Sequence, residues 1–377
     1  MYIIFYFLLS LIVIFFIYNK KELAINQNLY LLFLSNFLLI FFLFNNISAD
    51  KGYYNDTIFS NNYFSGFSAQ GYDLFFFYFG HIISFFQYPK FADLILYPFF
   101  IYSTLFFSKK FQNPLFITLL FFPYIYLVVM QGFTRQAWAL GFIIMAVNLL
   151  FKLKNNYKVD HINQLKNEIS ILFLFIISTF FHFSAIIFLL IYIAYLFYNQ
   201  KKTNKITFII IFSFILCILL LNTDILQIYL IKINHYRDFL ATRENYSLKG
   251  FLIRFSIIFI SSIIILISRF IFINPKKQKI LPLDNFFLIC SLCYLIISLL
   301  LFIIDPKLSL ILDRLGIYFY LINIYFLGRF IYFISAKKIQ PLIQSIAIIF
   351  FNIYLLLWIN FSQSYYEFKY NFLFFGF

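Results

Sequence analysis

Residues 114–150 read PLFITLLFFPYIYLVVMQGFTRQAWALGFIIMAVNLL, with a single charged side chain, Arg135. A helix crosses a membrane with about 20 consecutive apolar residues. The run is therefore two spans joined at 131–135. Gly132 can end the first helix and Thr134 can cap the second. Arg135 then falls in the first turn of a membrane helix. This reading decides the fold class: all-α, a polytopic integral membrane protein.

The same texture extends in both directions. The 377 residues are 63% hydrophobic, 25% aromatic and 11% charged. Soluble domains carry roughly 45–50% apolar and about 25% charged residues. The apolar total would fill about twelve helices of about 20 residues. Candidate spans are 2–18, 28–44, 91–107, 114–130, 136–151, 169–181, 184–199, 206–222, 251–274, 283–304, 315–334 and 341–359. Segment 71–87 reads as a thirteenth span or as a re-entrant or interfacial helix. Residues 1–377 form one transmembrane domain with longer loops at 45–73 and 223–250. Residues 2–18 read as a first membrane helix and not a removable signal, since no A-x-A-like cleavage site follows.

This composition excludes a soluble enzyme and a disordered chain. The net charge of +15 is spread over short loops, not gathered into one stripe, so nucleic acid is excluded as a partner. No G-x-x-x-x-G-K, G-x-G-x-x-G or G-x-S-x-G pattern occurs. Cys290 and Cys293, spaced C-x-x-C in an apolar run, read as core residues and not as a metal pair. No cofactor and no metal are expected.

Cytoplasmic loops are enriched in Lys and Arg. Six compact clusters hold most of the lysines: Lys20-Lys21, Lys109-Lys110, Lys152 to Lys166, Lys201 to Lys205, Lys276 to Lys279 and Lys337-Lys338. All fall on one side if 71–87 does not fully cross and if the chain turns back near His182. Both termini then lie outside. The turn is expected although Phe180–Ala185 holds neither Gly nor Pro. Five arginines, Arg135, Arg237, Arg243, Arg254 and Arg314, go to the opposite side. Positive-inside sorting treats Lys and Arg alike and cannot separate them. The planar guanidinium fits carboxylate and phosphate bidentately, so the outer face is where anionic groups are held.

Chemistry is expected at a few positions there. Arg135 lies beside the free N–H groups of a helix start, where a bound anion relieves the charge; its alternative is snorkelling to lipid head groups. His182, in Phe180-Phe181-His182-Phe183-Ser184, is a candidate general base, since ionisable groups at membrane depth are functional candidates. Arg237 and Arg243 stand in loop 223–250 among His235, Tyr236, Asp238, Glu244 and Tyr246, a sugar-contact composition or a self-paired solvated loop. Asp313 is expected to cap the span 315–334, with Arg314 at its first helical position. Asp73 either caps the helix at 71–87 or deprotonates a sugar hydroxyl.

The sequence Thr134-Arg135-Gln136-Ala137-Trp138-Ala139, followed by Phe181-His182-Phe183-Ser184-Ala185, resembles a motif pair of the EpsG-type branch of Wzy-like polysaccharide polymerases. That family shows R-Q-x-x-A at a helix start and, beyond a basic loop, F-H-x-S-A. Its G-x-D-x-x-x-Y element is matched here only by Gly71-Tyr72-Asp73. The resemblance implies a GT-C-like body in the bacterial inner membrane. It also implies undecaprenyl-pyrophosphate-linked oligosaccharide repeat units as substrate, joined at the outer face without metal or nucleotide sugar. Membrane lipids surround it, and a chain-length regulator is a partner the family admits. Arg135 and His182 correspond to the motif arginine and histidine. Three other readings share parts of this pattern: an O-antigen ligase-type transferase, a lipid-linked-sugar flippase, and a membrane O-acyltransferase. Clustering of charge at one face, and not along a mid-membrane path, favours an enzyme over the flippase.

Overall fold

The computed structural model describes residues 2–18, 91–130, 134–153, 161–199, 248–271, 281–304, 309–330 and 339–361, with single positions at 34, 36 and 82. All regular structure among them is helical. In chain order the α-helices are α1 (Tyr2–Tyr18), α2 (Phe91–Ser108), α3 (Pro114–Phe121), α4 (Thr134–Leu150), α5 (His161–Phe181), α6 (Ile186–Asn199), α7 (Leu248–Ile271), α8 (Pro282–Ile304), α9 (Ser309–Tyr325) and α10 (Gln340–Phe361). Two continue as π-helix: α3 through Phe122–Met130 and α9 through Phe326–Phe330. The spans expected at 28–44 and 206–222, and segment 71–87, lie outside the described residues.

The surface is inverted relative to a soluble protein. Leu11, Phe15, Phe173, Leu299 and Ile346 are exposed, while Thr104, Ser178, Ser291 and Ser298 are buried. These inward hydroxyls bond to carbonyls of their own helices: Ser291 Oγ to Phe287 O at 2.8 Å, Ser298 Oγ to Tyr294 O at 2.6 Å, Ser108 Oγ to Thr104 O at 2.8 Å. Where water is absent, every polar group needs such a partner. Two described helices are long and apolar enough to cross a membrane by themselves, Gln164–Phe181 and Pro282–Leu300. Six shorter apolar helices accompany them.

Ring contacts fix how the helices run. Phe99 of α2 stacks on Trp138 of α4 at 5.3 Å, and Phe107 meets Phe151 at 6.0 Å, so α2 and α4 are parallel. Trp138 stacks on Phe181, placing the start of α4 beside the end of α5. The chain then folds back: Phe175 meets Phe188 at 6.3 Å and Tyr192 at 5.3 Å, and the Tyr192 hydroxyl donates to Glu168 O. The α5–α6 pair is thus an antiparallel hairpin. Its corner needs no Gly or Pro. His182 takes an extended conformation (φ −155°, ψ 119°), which any residue adopts, and one 3₁₀ turn at Phe183–Ala185 leads into α6. The expected reversal at His182 is present.

The bundle therefore has two chemically different ends. Lys109, Lys110 and Lys152, all exposed, lie at the end where α2 and α4 finish. The tail of α9 reaches this end too, since a Cβ on Gly328 would collide with Ile117 and Phe111. The starts of α4, the 3₁₀ turn and α9 lie at the other end.

Candidate functional site

The lysine-poor end gathers three elements. From α4 come Arg135 and Gln136, in the first turn as expected. From the α5–α6 corner come His182 and Ser184. From α9 come Arg314 and Tyr318, four residues apart and so on one helix face. Sequence does not place α9 beside the other two; packing does.

The α4 and corner elements are joined by aromatic stacking. Trp138 lies over Phe181 with centroids 5.2 Å apart and planes within 12°. Phe142 covers Phe181 at 5.3 Å, and Phe99 backs Trp138. Trp138 and Phe181 are both buried. Such pairs contribute about 0.5–1.5 kcal/mol each beyond area burial. Gly141 permits this arrangement, because a Cβ there would stand 2.5 Å from the Phe99 ring. The residues following Arg135 and preceding His182 are thereby held in one stack.

The α9 element closes the site. Arg314 Nη1 donates to Gln136 Oε1 at 3.5 Å, across 178 positions of sequence. Ser184 Oγ donates to the Tyr318 hydroxyl at 3.4 Å. Ser184 Oγ also lies 2.5 Å from His182 Nδ1, and the His182 and Tyr318 rings are 6.3 Å apart. Arg135, His182, Ser184 and Arg314 are each half-buried, while Gln136 and Tyr318 are buried. A guanidinium and an imidazole thus sit on a shared frame, with a second arginine one residue from Gln136. The arrangement can hold an anionic group and receive a proton next to it.

Of the expected site residues, Arg135, Arg314 and His182 are brought to this one end. Asp73, Arg237 and Arg243 lie outside the described residues. One expectation is corrected: Asp313 does not cap a helix and Arg314 is not at a first helical position. α9 begins at Ser309, so both lie in its second turn. The run Ser309-Leu310-Ile311-Leu312 contains no breaker and carries the helix back beyond the span's apolar start. Gln136, Ser184 and Tyr318 had no assigned role from sequence. The four-residue spacing of Tyr318 from Arg314 was the available signal. Among the described residues, no group of three or more His, Cys, Asp or Glu could hold a metal ion. Cys290 is buried and Cys293 half-buried in α8, both as free thiols.

A second polar cluster lies at the lysine-bearing end. Arg329 pairs bidentately with Asp284, Nε to Oδ1 at 2.6 Å and Nη2 to Oδ2 at 2.9 Å. The Tyr325 hydroxyl donates to Asp284 Oδ1 at 2.9 Å, and the Leu281 N–H donates to Oδ2 at 2.7 Å. Asp284 is in the first turn of α8, where a carboxylate accepts from free N–H groups. This cluster ties the start of α8 to the end of α9.

Among the described residues the body is all-helical and apolar-surfaced, with arginine and histidine converging at one end, the architecture of a membrane protein. The chain belongs to the EpsG family, a Wzy-like polysaccharide polymerase-type family, whose profile matches residues 29–372. No curated protein and no solved structure matches it.

Proposed function

We propose that the protein is a polymerase that joins oligosaccharide repeat units carried on undecaprenyl pyrophosphate, at the outer face of the bacterial inner membrane. The observation that carries this reading is the convergence of Arg135-Gln136, His182 and Arg314 at the lysine-poor end. In the proposed topology that end faces outward, both termini lie outside, and about twelve helices of GT-C-like arrangement cross the membrane.

The growing chain on one lipid pyrophosphate is the donor. A hydroxyl oxygen of the incoming unit bonds to the donor's anomeric carbon from the face opposite the leaving group. The anomeric C–O bond to pyrophosphate breaks, and its electron pair leaves on the pyrophosphate oxygen. The configuration inverts, and the hydroxyl proton passes to His182. The leaving group is already stable, so positioning and charge stabilisation are the protein's tasks. Arg135 and Arg314 clamp the pyrophosphate, with Arg237 or Arg243 from loop 223–250 completing the clamp. Asp73 is the alternative proton acceptor.

The test is the surface glycan of a strain lacking the gene. The deletion is expected to leave single repeat units where a ladder stood. Arg135→Ala and Arg314→Ala are each expected to cut turnover about 10²–10³-fold, the scale for one charge-stabilising donor, and His182→Ala to abolish the ladder. Normal ladders from the arginine variants overturn the clamp. Loss of all surface glycan, single units included, points to ligation or flipping and overturns the polymerase reading.

A further inference from the structure

We propose that Tyr320 is a positioning residue for Arg135. The hydroxyl it donates to Leu120 O holds the Pro123 break of α3 in its π-wound form, and that form sets where the start of α4 stands against Arg314. This rests on the polymerase reading for what Arg135 does, but not for the winding.

The break begins with a missing donor. Proline has no N–H, and its ring crowds the carbonyl four positions back, so an α-helix does not run unchanged through it. For Pro123 that carbonyl is Leu119 O, which takes the Phe122 N–H instead. From Phe122 to Met130 the helix is wound as π. Tyr320 reaches the next carbonyl from α9, its hydroxyl donating to Leu120 O at 3.2 Å. A carbonyl only accepts, so the direction of this bond is fixed. In a membrane, backbone groups disturbed by a proline are satisfied by neighbouring helices and by local π winding. Both devices meet on this turn of α3.

The winding bears on Arg135 through packing and chain length. The π segment lies directly against α4, and three residues separate Met130 from Thr134. Nine residues wound more widely turn through less angle than nine α residues, so the end of α3 meets α4 differently in the two forms. α9 touches both arms: Tyr320 at Leu120 on α3, and Arg314 at Gln136 on α4. Tyr320 is suited to this, because it is buried and its ring packs on Tyr124 of the π segment at 5.3 Å and on Phe351 at 6.4 Å. From α2, Thr104 holds the same segment by a hydrogen bond with Tyr126. The helix that supplies one arginine of the clamp thus also places the other.

The test uses full-length protein in lipid nanodiscs. Phe-Pro occurs once in the sequence, at Phe122-Pro123. Carbonyl-¹³C phenylalanine combined with ¹⁵N proline therefore gives one paired signal, at the first π residue. Tyr320→Phe keeps the ring and removes only the hydroxyl. It is expected to move the Phe122 carbonyl signal, because that carbonyl then meets the N–H four positions on and not five. In a polymerisation assay with the strain's own lipid-linked repeat units, donor kcat/KM is expected to fall about three- to tenfold, the factor one ordinary hydrogen bond supplies. Pro123→Ala restores the missing N–H and leaves Tyr320 in place. It is expected to lower donor kcat/KM by a similar factor, and the double variant no further, because both changes release one winding. An unmoved carbonyl signal in Tyr320→Phe, or effects of the two changes that multiply, overturns the proposal. A moved signal with normal donor kcat/KM in both variants, while Arg135→Ala is impaired, overturns the positioning of Arg135. If Arg135→Ala polymerises normally, the clamp of the proposed function falls, and a moved signal still ties Tyr320 to the winding.

Discussion

Gln136 is the residue on which Arg135 and Arg314 meet. Its side-chain oxygen accepts from Arg314 while its backbone neighbour is Arg135. A neutral amide orients the guanidinium without cancelling its charge. Gln136→Glu would replace that dipole with a full negative charge at the same contact. Two unit charges about 4 Å apart attract by about 4 kcal/mol at an effective dielectric of about 20. The new carboxylate therefore competes with an anionic donor for Arg314. Donor KM is expected to rise at least tenfold, since about 1.4 kcal/mol suffices for that, with a smaller change in kcat. An unchanged KM in a polymerisation assay removes Arg314 from the pyrophosphate clamp. Gln136 was within the motif quoted from sequence, but its role was not legible there. Its partner lies 178 positions away, and no local pattern encodes such a pairing.

At the scale of elements, spans were legible where apolar content and helix coincide. The helix at Phe91–Ser108 and the one at Pro282–Ile304 follow their apolar runs to within a residue. Starts were misplaced where polar residues continue the helix. α5 begins at His161, eight positions before its expected span, because Gln164 and Glu168 bond one turn apart at 3.2 Å and Ser170 Oγ bonds to Lys166 O. Hydropathy detects the lipid-facing part of a helix, not its hydrogen-bonded whole. The α8–α9 tie at Asp284 and Arg329 was not anticipated at all. Its two side chains are only 10% and 23% exposed. Removing one member of a buried pair costs about 3–5 kcal/mol. Asp284→Ala is accordingly expected to lower the melting temperature of the detergent-purified protein. The double change Asp284→Leu with Arg329→Met is expected to recover most of the loss, because neither charge is then left unpaired. A double variant as unstable as the single one would show that the cluster's hydrogen bonds to Tyr325 and Leu281, and not the charge pair, hold the helices.

Among the described residues the cations are separated by kind. Lys109, Lys110 and Lys152 mark one end, Arg135 and Arg314 stand at the other, and Arg329 is matched to a carboxylate. The expected turn at His182 is what allows this sorting, since it returns the chain to the lysine side before Lys201. The proposed sidedness makes a direct prediction. A cysteine placed at exposed Lys110 or Lys152 is expected to resist a membrane-impermeant thiol reagent in intact cells and to react after permeabilisation. Labelling in intact cells would invert the topology and turn the candidate site toward the cytoplasm.

The long sequence distance between Gln136 and Arg314 also has a temporal meaning. A nascent chain that has emerged only through residue 304 already contains Arg135, the aromatic stack and His182. It contains neither Arg314 nor Tyr318. The proposed clamp of Arg135 and Arg314 is therefore completed late in synthesis, when α9 docks between parts that have been in the membrane since the middle of translation. Under the proposed function an unfinished chain is thus an inert one: it has Arg135 and His182, but not the second arginine of the clamp.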